Sequence, residues 1–145
     1  MLFRSVVREP LAAMQGTPMA QRTPGRKVRP ATPQDVPACD ALHQAMFGWS
    51  RERDFAEAFA GDLAAVVECD GFISGASTLM GFFGFSFGRT NEDLQAMIAA
   101  APEFPGPGIL VPTRNGELFR WCLGQGLKVT QCMTYMTTDR SEEHT

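Results

Sequence analysis

The pattern of apolar and polar positions in the last third of the chain predicts a strand, a helix and a second strand. Residues 108–111 form a short apolar run bounded by turn residues, as expected of a buried strand. Thr113 can cap the helix that follows, and Gly126 stands where a helix-ending glycine belongs. Apolar and polar side chains alternate over residues 127–136, which is the period of a strand. The helix is apolar over much of its surface, so we expect it to pack against a sheet.

The first half of the chain has the pattern of one short strand and two helices. Residues 27–31 have the character of a strand, and either Thr32 or Asp35 can cap the helix after it. Pro37 favours Asp35 as the cap, because a proline is tolerated in the first helical turn and disrupts later ones. After a Gly-Trp-Ser break, residues 51–60 are predicted to form a charged helix whose two phenylalanines make its buried stripe.

The middle of the chain contains its strongest turn signal. Residues 64–69 and 72–79 are predicted strands, and the Asp70-Gly71 pair between them is typical of a tight hairpin. A further strand then leads through a loop into a predicted helix at residues 91–101. We therefore predict an α/β fold of the α+β type, in which a mixed, mostly antiparallel sheet carries helices on both faces.

Two terminal segments are expected to lie outside the domain, which we assign to residues 27–139. Residues 1–26 contain three prolines and no sustained period, so we expect a disordered leader or a mis-assigned start. A linker remnant from an upstream domain and an Arg-rich transit peptide are the alternatives. Residues 140–145 resemble the translation of a sequencing-library adapter, and we expect a non-native tail there, with a genuine polar tail as the alternative.

Composition argues against several classes of partner. Apolar residues make up 44% of the chain and charged residues 20%, which is typical of a globular domain. The net charge is −3, yet six of the thirteen Arg and Lys lie within residues 1–30 with only one acid. This basic segment has no aromatic residue among its charges apart from Phe3, which argues against nucleic acid. Without an apolar run of membrane-spanning length, we also expect no membrane partner.

The cysteines and histidines favour a cytoplasmic protein without a metal site. The four cysteines include no Cys-x-x-Cys pair, and no export signal accompanies them, so we expect reduced thiols. His43 and His144 are the only histidines, and neither has ligand spacing to a cysteine, which argues against zinc.

The last third of the chain resembles the C-terminal half of the GNAT fold, whose members transfer an acetyl group from acetyl-CoA to an amine. Asn115 matches the family's asparagine at the mouth of a helix, and Gly126-Leu127 matches its Gly-Phe pair. Cys122 stands where the family has a tyrosine. Residues 29–35 are similar to the opening of GNAT domains, so the resemblance covers residues 28–138. It is closest to divergent domains, some of which form the second half of tandem chains.

The resemblance implies acetyl-CoA as the cofactor, with its diphosphate wrapped by a glycine loop at a helix N-terminus. Gly88, Arg89 and Thr90 occupy that loop, in which the family's glycine spacing is only partly matched. Asn115 is the remaining cofactor contact that the resemblance implies. A turn role beside Gly116 is the alternative for Asn115.

Two acids beside this loop argue against full cofactor binding. We expect Asn91 to cap the helix, with Glu92 and Asp93 in its first turn, where carboxylates suit the helix dipole. The same carboxylates would repel a diphosphate at a cost on the order of 1 kcal/mol for each like-charge contact at partial burial.

The resemblance also implies direct transfer, in which the amine attacks the thioester carbonyl while backbone donors hold the oxyanion. Glu68, near the end of a predicted strand, is the candidate general base, with a solvent-facing role as its alternative. Because Cys122 replaces the family's tyrosine acid, Tyr135 is the candidate acid. Cys122 itself is expected in the core.

Two functions therefore remain open. The first is an N-acetyltransferase with a divergent cofactor loop, acting on a small-molecule or peptide amine. The second is a non-catalytic GNAT-like domain that is a structural or ligand-binding partner of an active domain. The partner would be a second GNAT domain, or a second copy of the chain in a homodimer.

Two aromatic features have two interpretations each. The four phenylalanines within residues 82–87 cannot all face one side of a strand, so they either pack on both sheet faces or line an apolar ligand pocket. Trp49 either anchors the core between two helices or lines an acceptor pocket.

Overall fold

The structure, a computed structural model, describes residues 5–19 and 22–138. Seven strands and four helices lie in these ranges. The strands are β1 (Ser5–Gln15), β2 (Lys27–Pro30), β3 (Ala65–Cys69), β4 (Phe72–Ser77), β5 (Ser86–Gly88), β6 (Ile109–Pro112) and β7 (Lys128–Thr138). The helices are α1 (Val36–Phe47), α2 (Glu52–Phe59), α3 (Asn91–Ala100) and α4 (Gly116–Gly124). The predicted tail at residues 140–145 lies outside the described residues.

The strands form two antiparallel sheets, and the α+β class is confirmed. The first sheet has the order β6-β1-β7, and the second has the order β2-β3-β4-β5. The expectation of one mixed sheet is wrong in this detail, because every pairing in the described residues is antiparallel and the strands divide into two sheets.

β1 corrects the prediction that residues 1–26 lie outside the fold. It is the central strand of its sheet, with Leu11 to Met14 paired to β6 on one side and the strand paired to β7 on the other. Ala13 and Met14 are fully buried. Over residues 8–15 this strand contains a glutamate, a proline and two alanines, which have little β-propensity, so its conformation there depends on two partner strands about a hundred residues away.

Helices cover both faces of the four-stranded sheet, as predicted. Val66 and Val67 are adjacent on β3 and point to opposite faces, and both are fully buried. Val66 packs in a cluster with Phe55 and Phe59 of α2, whereas Val67 packs with Met97 of α3. The phenylalanine stripe predicted for α2 is therefore buried against one face of the sheet, and α3 covers the other face.

Two turns predicted from short sequence signals are present in the structure. Asp70 and Gly71 both adopt positive φ angles, 54° and 85°, which join β3 to β4 in a tight hairpin. At the end of α4, the Gly126 N–H donates to the Leu123 carbonyl and the Leu127 N–H donates to the Cys122 carbonyl. This pattern is a Schellman motif, and the C-terminal glycine prediction is confirmed.

The caps of α1 and α3 are also defined. A short 3-10 turn, Pro33–Asp35, precedes α1, and Asp35 is the cap residue that the proline argument favoured. At α3 the cap is Thr90 rather than Asn91, which is the first helical residue. Asp93 explains the difference, because its carboxylate accepts hydrogen bonds from the Thr90 N–H and hydroxyl.

None of the helices in the described part of the chain combines the length and the hydrophobicity that crossing a bilayer would require.

Candidate functional site

The candidate site is a cleft of about 320 Å³ between the two sheets. Ser86 of β5 lines one side, and β6 (Ile109–Pro112) lines the other. Each of these strands lies at the edge of its sheet and pairs with only one neighbour among the described residues. We call this space the interstrand cleft.

The walls of the interstrand cleft are mainly apolar. Its lining includes Phe85, Leu94, Ile98 and Leu118, and contains no acidic, basic, cysteine or histidine residue. The polar residues in the lining are Ser86 and Asn115. This composition suits the binding of an extended, mostly uncharged ligand segment, with few fixed polar contacts to orient it.

Asn115 lies where two helices begin. It is the cap of α4, and its Oδ1 accepts a hydrogen bond from the Leu118 N–H at 3.3 Å. Its side chain also exchanges two hydrogen bonds with Asn91 at the start of α3: Asn115 Nδ2 donates at 2.7 Å, and Asn91 Nδ2 donates at 3.1 Å. The two amides therefore hold the N-termini of α3 and α4 together beside the interstrand cleft.

The predicted cofactor loop lies directly before α3, and part of it is already engaged within the fold. The Arg89 N–H donates to the Ser74 carbonyl at 2.9 Å, and the Thr90 N–H donates to the Asp93 carboxylate at 3.0 Å. A Cβ atom at Gly88 would lie 2.7 Å from the Cβ of Asp93, so only glycine fits there. The exposed Arg89 side chain remains available to an anion.

The Asp93 carboxylate is not an exposed negative charge beside the cleft. Its side chain is fully buried and accepts hydrogen bonds from Ser74 Oγ at 2.7 Å and from Arg26 Nε at 2.7 Å. Burial opposes its ionisation, but these hydrogen bonds outweigh burial and lower the pKa of the carboxyl. Of the two acids expected to repel a diphosphate, Asp93 is therefore neutralised by Arg26, and only the exposed Glu92 retains that effect.

Of the two candidate catalytic residues, only Glu68 has a described side chain, and it does not line the interstrand cleft. Glu68 is on β3, where its Oε1 lies 3.0 Å from Arg29 Nε in an ion pair, and it is absent from the cleft lining. Tyr135 is on β7, and its side chain is outside the described residues. In the order β6-β1-β7, its strand is separated from β6 by β1.

Cys122 is a core residue, as the sequence suggested. Its side chain is fully buried in a cluster with Met14, Leu118 and Leu127. Burial raises the pKa of its thiol to about 11, so the thiolate is scarce at neutral pH. Because Cys122 is fully buried and is not among the residues that line the interstrand cleft, we assign it to packing.

Some of the aromatic residues pack in the core, one lines the interstrand cleft, and others are exposed. Phe87 is buried in the core, Phe85 is half-buried and lines the interstrand cleft, and Phe83 is 82% exposed. Trp49 is 55% exposed, so it is not a core anchor. The guanidinium of Arg51 lies 3.5 Å from the centre of the Phe85 ring.

Sequence reasoning missed two contributors to the site. Asn91 was expected only to cap a helix, and nothing in the sequence indicates its pairing with an asparagine 24 positions later. Ser86 was not singled out, although it lines the interstrand cleft and its hydroxyl donates to Ser77 Oγ at 2.8 Å. Comparison with known proteins adds no assignment, since no family model matches the chain and no curated protein matches it significantly.

Proposed function

We propose that this chain is a GNAT-like N-acetyltransferase that holds acetyl-CoA in the interstrand cleft. The observation that carries the proposal is the apolar cleft between two edge strands, with two helix N-termini joined at Asn115. An acyl-CoA has three parts with different requirements: a phosphate-bearing end, an extended amide-containing arm and a small thioester. The cleft offers a complementary feature to the first two.

The edge strands suit the extended arm. An edge strand has backbone N–H and C=O groups without a strand partner, and an extended ligand can use them as a further strand would. β5 and β6 both have such an edge in the described residues, and apolar side chains line the space between them. Amide groups of the arm can therefore bond to backbone while its methylene groups contact Phe85 and Ile109.

The joined helix N-termini suit the phosphate end. Each helix N-terminus has free backbone N–H groups and a partial positive charge, which together favour anions. The second N–H of the Asn115 amide has no hydrogen-bond partner among the described residues and can donate to a ligand oxygen. Arg89, exposed directly before α3, adds a positive side chain near the same end.

In the proposed reaction, the nitrogen of a neutral amine attacks the thioester carbonyl carbon. A C–N bond forms, the C–S bond breaks, and the departing CoA thiolate takes up one proton as the amine nitrogen loses one. Since the cleft lining contains no acid or base, we assign these proton transfers to water and the role of orientation to the cleft.

The first experiment is a calorimetric titration of the full chain with acetyl-CoA. We expect micromolar binding that Asn115→Asp weakens strongly, because it places a negative charge at the phosphate end. Asn115→Ser is the matched control for folding, because a serine oxygen can still cap α4. No heat at millimolar acetyl-CoA would refute the proposal.

The second candidate is a non-catalytic domain that binds the same ligand without turnover. The absence of a titratable residue from the cleft lining favours it. Turnover should be followed by the loss of thioester absorbance in the presence of an amine panel, since a thiol reagent would also label the exposed Cys132. Tight binding without thioester loss would support this second candidate.

A further inference from the structure

A second cavity, of about 340 Å³, lies between the C-terminal end of α3 and the strands β2, β3 and β4. Its walls are mostly apolar and include Val28, Ala65, Leu79 and Met97. Met80 contributes both to this cavity and to the interstrand cleft. We call it the α3-end cavity, and its volume lies at the lower end of the range of small-molecule sites.

The positive charge that borders the α3-end cavity is already neutralised. Arg29 lines the cavity, but its Nε lies 3.0 Å from Glu68 and its two Nη atoms each lie 2.9 Å from the Asp35 carboxylate. The hydrogen bonds from Arg29, against the opposing effect of burial, lower the pKa of Asp35 to about 2. Two carboxylates therefore contact the Arg29 guanidinium and offset its positive charge at the cavity.

The remaining charges at the cavity are negative. Asp62 and Glu103 line its rim, and neither forms an ion pair with a residue in the described part of the chain. The C-terminal end of α3 also borders it, through Ala100, and the last turn of that helix has no basic residue. A helix C-terminus has a partial negative charge, so the helix and the two acids act in the same direction.

We propose that the α3-end cavity binds a small organic ammonium ion with an apolar body. The apolar walls contact the hydrocarbon part, while the rim carboxylates and the carbonyl end of α3 attract the cationic group. This charge complementarity distinguishes the ligand from a fatty acid or an alcohol of the same size. The inference stands apart from acyl transfer, because it needs neither acetyl-CoA nor the interstrand cleft.

Three probes that share a six-carbon chain separate the contribution of charge to binding from that of apolar contact. They are n-hexylammonium, 1-hexanol and hexanoate. Each is titrated into the full chain labelled with ¹³C at the methionine methyl groups. We expect hexylammonium to bind most tightly and hexanoate least, with shifts at Met80 and Met97 and none at the exposed Met19. Equal affinities for ammonium and carboxylate, or no shift at Met80 and Met97, would overturn the proposal.

Variants locate the charge effect. Asp62→Asn and Glu103→Gln should each weaken hexylammonium binding by about two- to fivefold and leave hexanol binding unchanged. Glu57→Gln, at an exposed acid on α2 away from the cavity, is the control and should change neither. Ala100→Leu should weaken the binding of all three probes, because the larger side chain fills part of the cavity. An undiminished preference for hexylammonium in the double variant Asp62→Asn/Glu103→Gln would also contradict the proposal.

Discussion

Arg26 and Asp93 join the segment before β2 to the first turn of α3 through a contact of 2.7 Å between Nε and Oδ1. The Asp93 side chain is 1% exposed and that of Arg26 is 17% exposed, so most of this ion pair is removed from water. The pair orders the N-terminus of α3, and the proposed phosphate site uses this same N-terminus.

Arg26→Met should destabilise the chain, because it leaves the buried Asp93 carboxylate without its counter-charge. We expect a loss of about 1–3 kcal/mol in the free energy of unfolding, less than for a fully isolated charge, since Ser74 and Thr90 still bind the carboxylate. Urea denaturation measures it. Arg22→Met, at an exposed arginine of the same segment, should change stability by less than about 0.5 kcal/mol. Equal stabilities of the two variants would contradict the assignment.

Met14→Ala tests whether β1 belongs to the core. Met14 is fully buried between β6 and β7, so truncation should leave a cavity and cost about 2–5 kcal/mol in thermal or urea unfolding. Met19→Ala, at a methionine that is 54% exposed, should be nearly neutral. If both substitutions were neutral, residues 5–15 would not form the central strand.

Asp35 should make stability depend on acid pH. Its pKa falls to about 2 when folded, from an ordinary 3.8, because Arg29 donates to its carboxylate. A depressed folded pKa contributes stability that is fully present above the unfolded value and is lost as pH falls through the folded value. The stability advantage of the natural chain over Asp35→Asn should thus hold above pH 4 and shrink between about pH 4 and pH 2. An advantage that is independent of pH across this window would rule out the ion pair.

The cysteines should differ sharply in reactivity. Cys132 is exposed, whereas Cys39 and Cys122 are buried, and burial raises the pKa of their thiols to about 12 and about 11. Iodoacetamide near pH 8 should label Cys132 in the folded chain and the two buried cysteines only after unfolding, as followed by mass spectrometry. Rapid labelling of Cys122 in the folded chain would instead reopen a catalytic role for it.

The features that the sequence predicted are those determined by short-range chemistry. Asp70-Gly71 formed its hairpin because both residues tolerate positive φ, and Gly126 ended α4 for the same reason. The alternation of apolar and polar residues predicted β7, and helical spacing predicted the buried phenylalanine stripe of α2. Each of these signals lies within a few residues, so one sequence is enough to detect it.

The features that were missed depend on residues far apart in the chain. β1 has weak strand propensity over residues 8–15, and the Thr130 hydroxyl that donates to its Ala13 carbonyl comes 117 positions later. The pairing of Asn91 with Asn115, and of Arg26 with Asp93, is likewise invisible to a local pattern. For this reason Asn115 could be proposed as a candidate from the sequence, whereas the cleft beside it could not.

β1 can complete its sheet only after β7 has left the ribosome. The four-stranded sheet uses partners that are much closer in sequence, since β3 and β4 are joined by a tight hairpin and β2 pairs with β3. Closing a longer loop costs more chain entropy, and non-local pairings form more slowly. We therefore expect pulsed hydrogen exchange during refolding to protect β3 and β4 amides before those of β1. The earliest of the described strands to be synthesised would then be among the last to pair, and until it pairs, its apolar residues can be bound by chaperones.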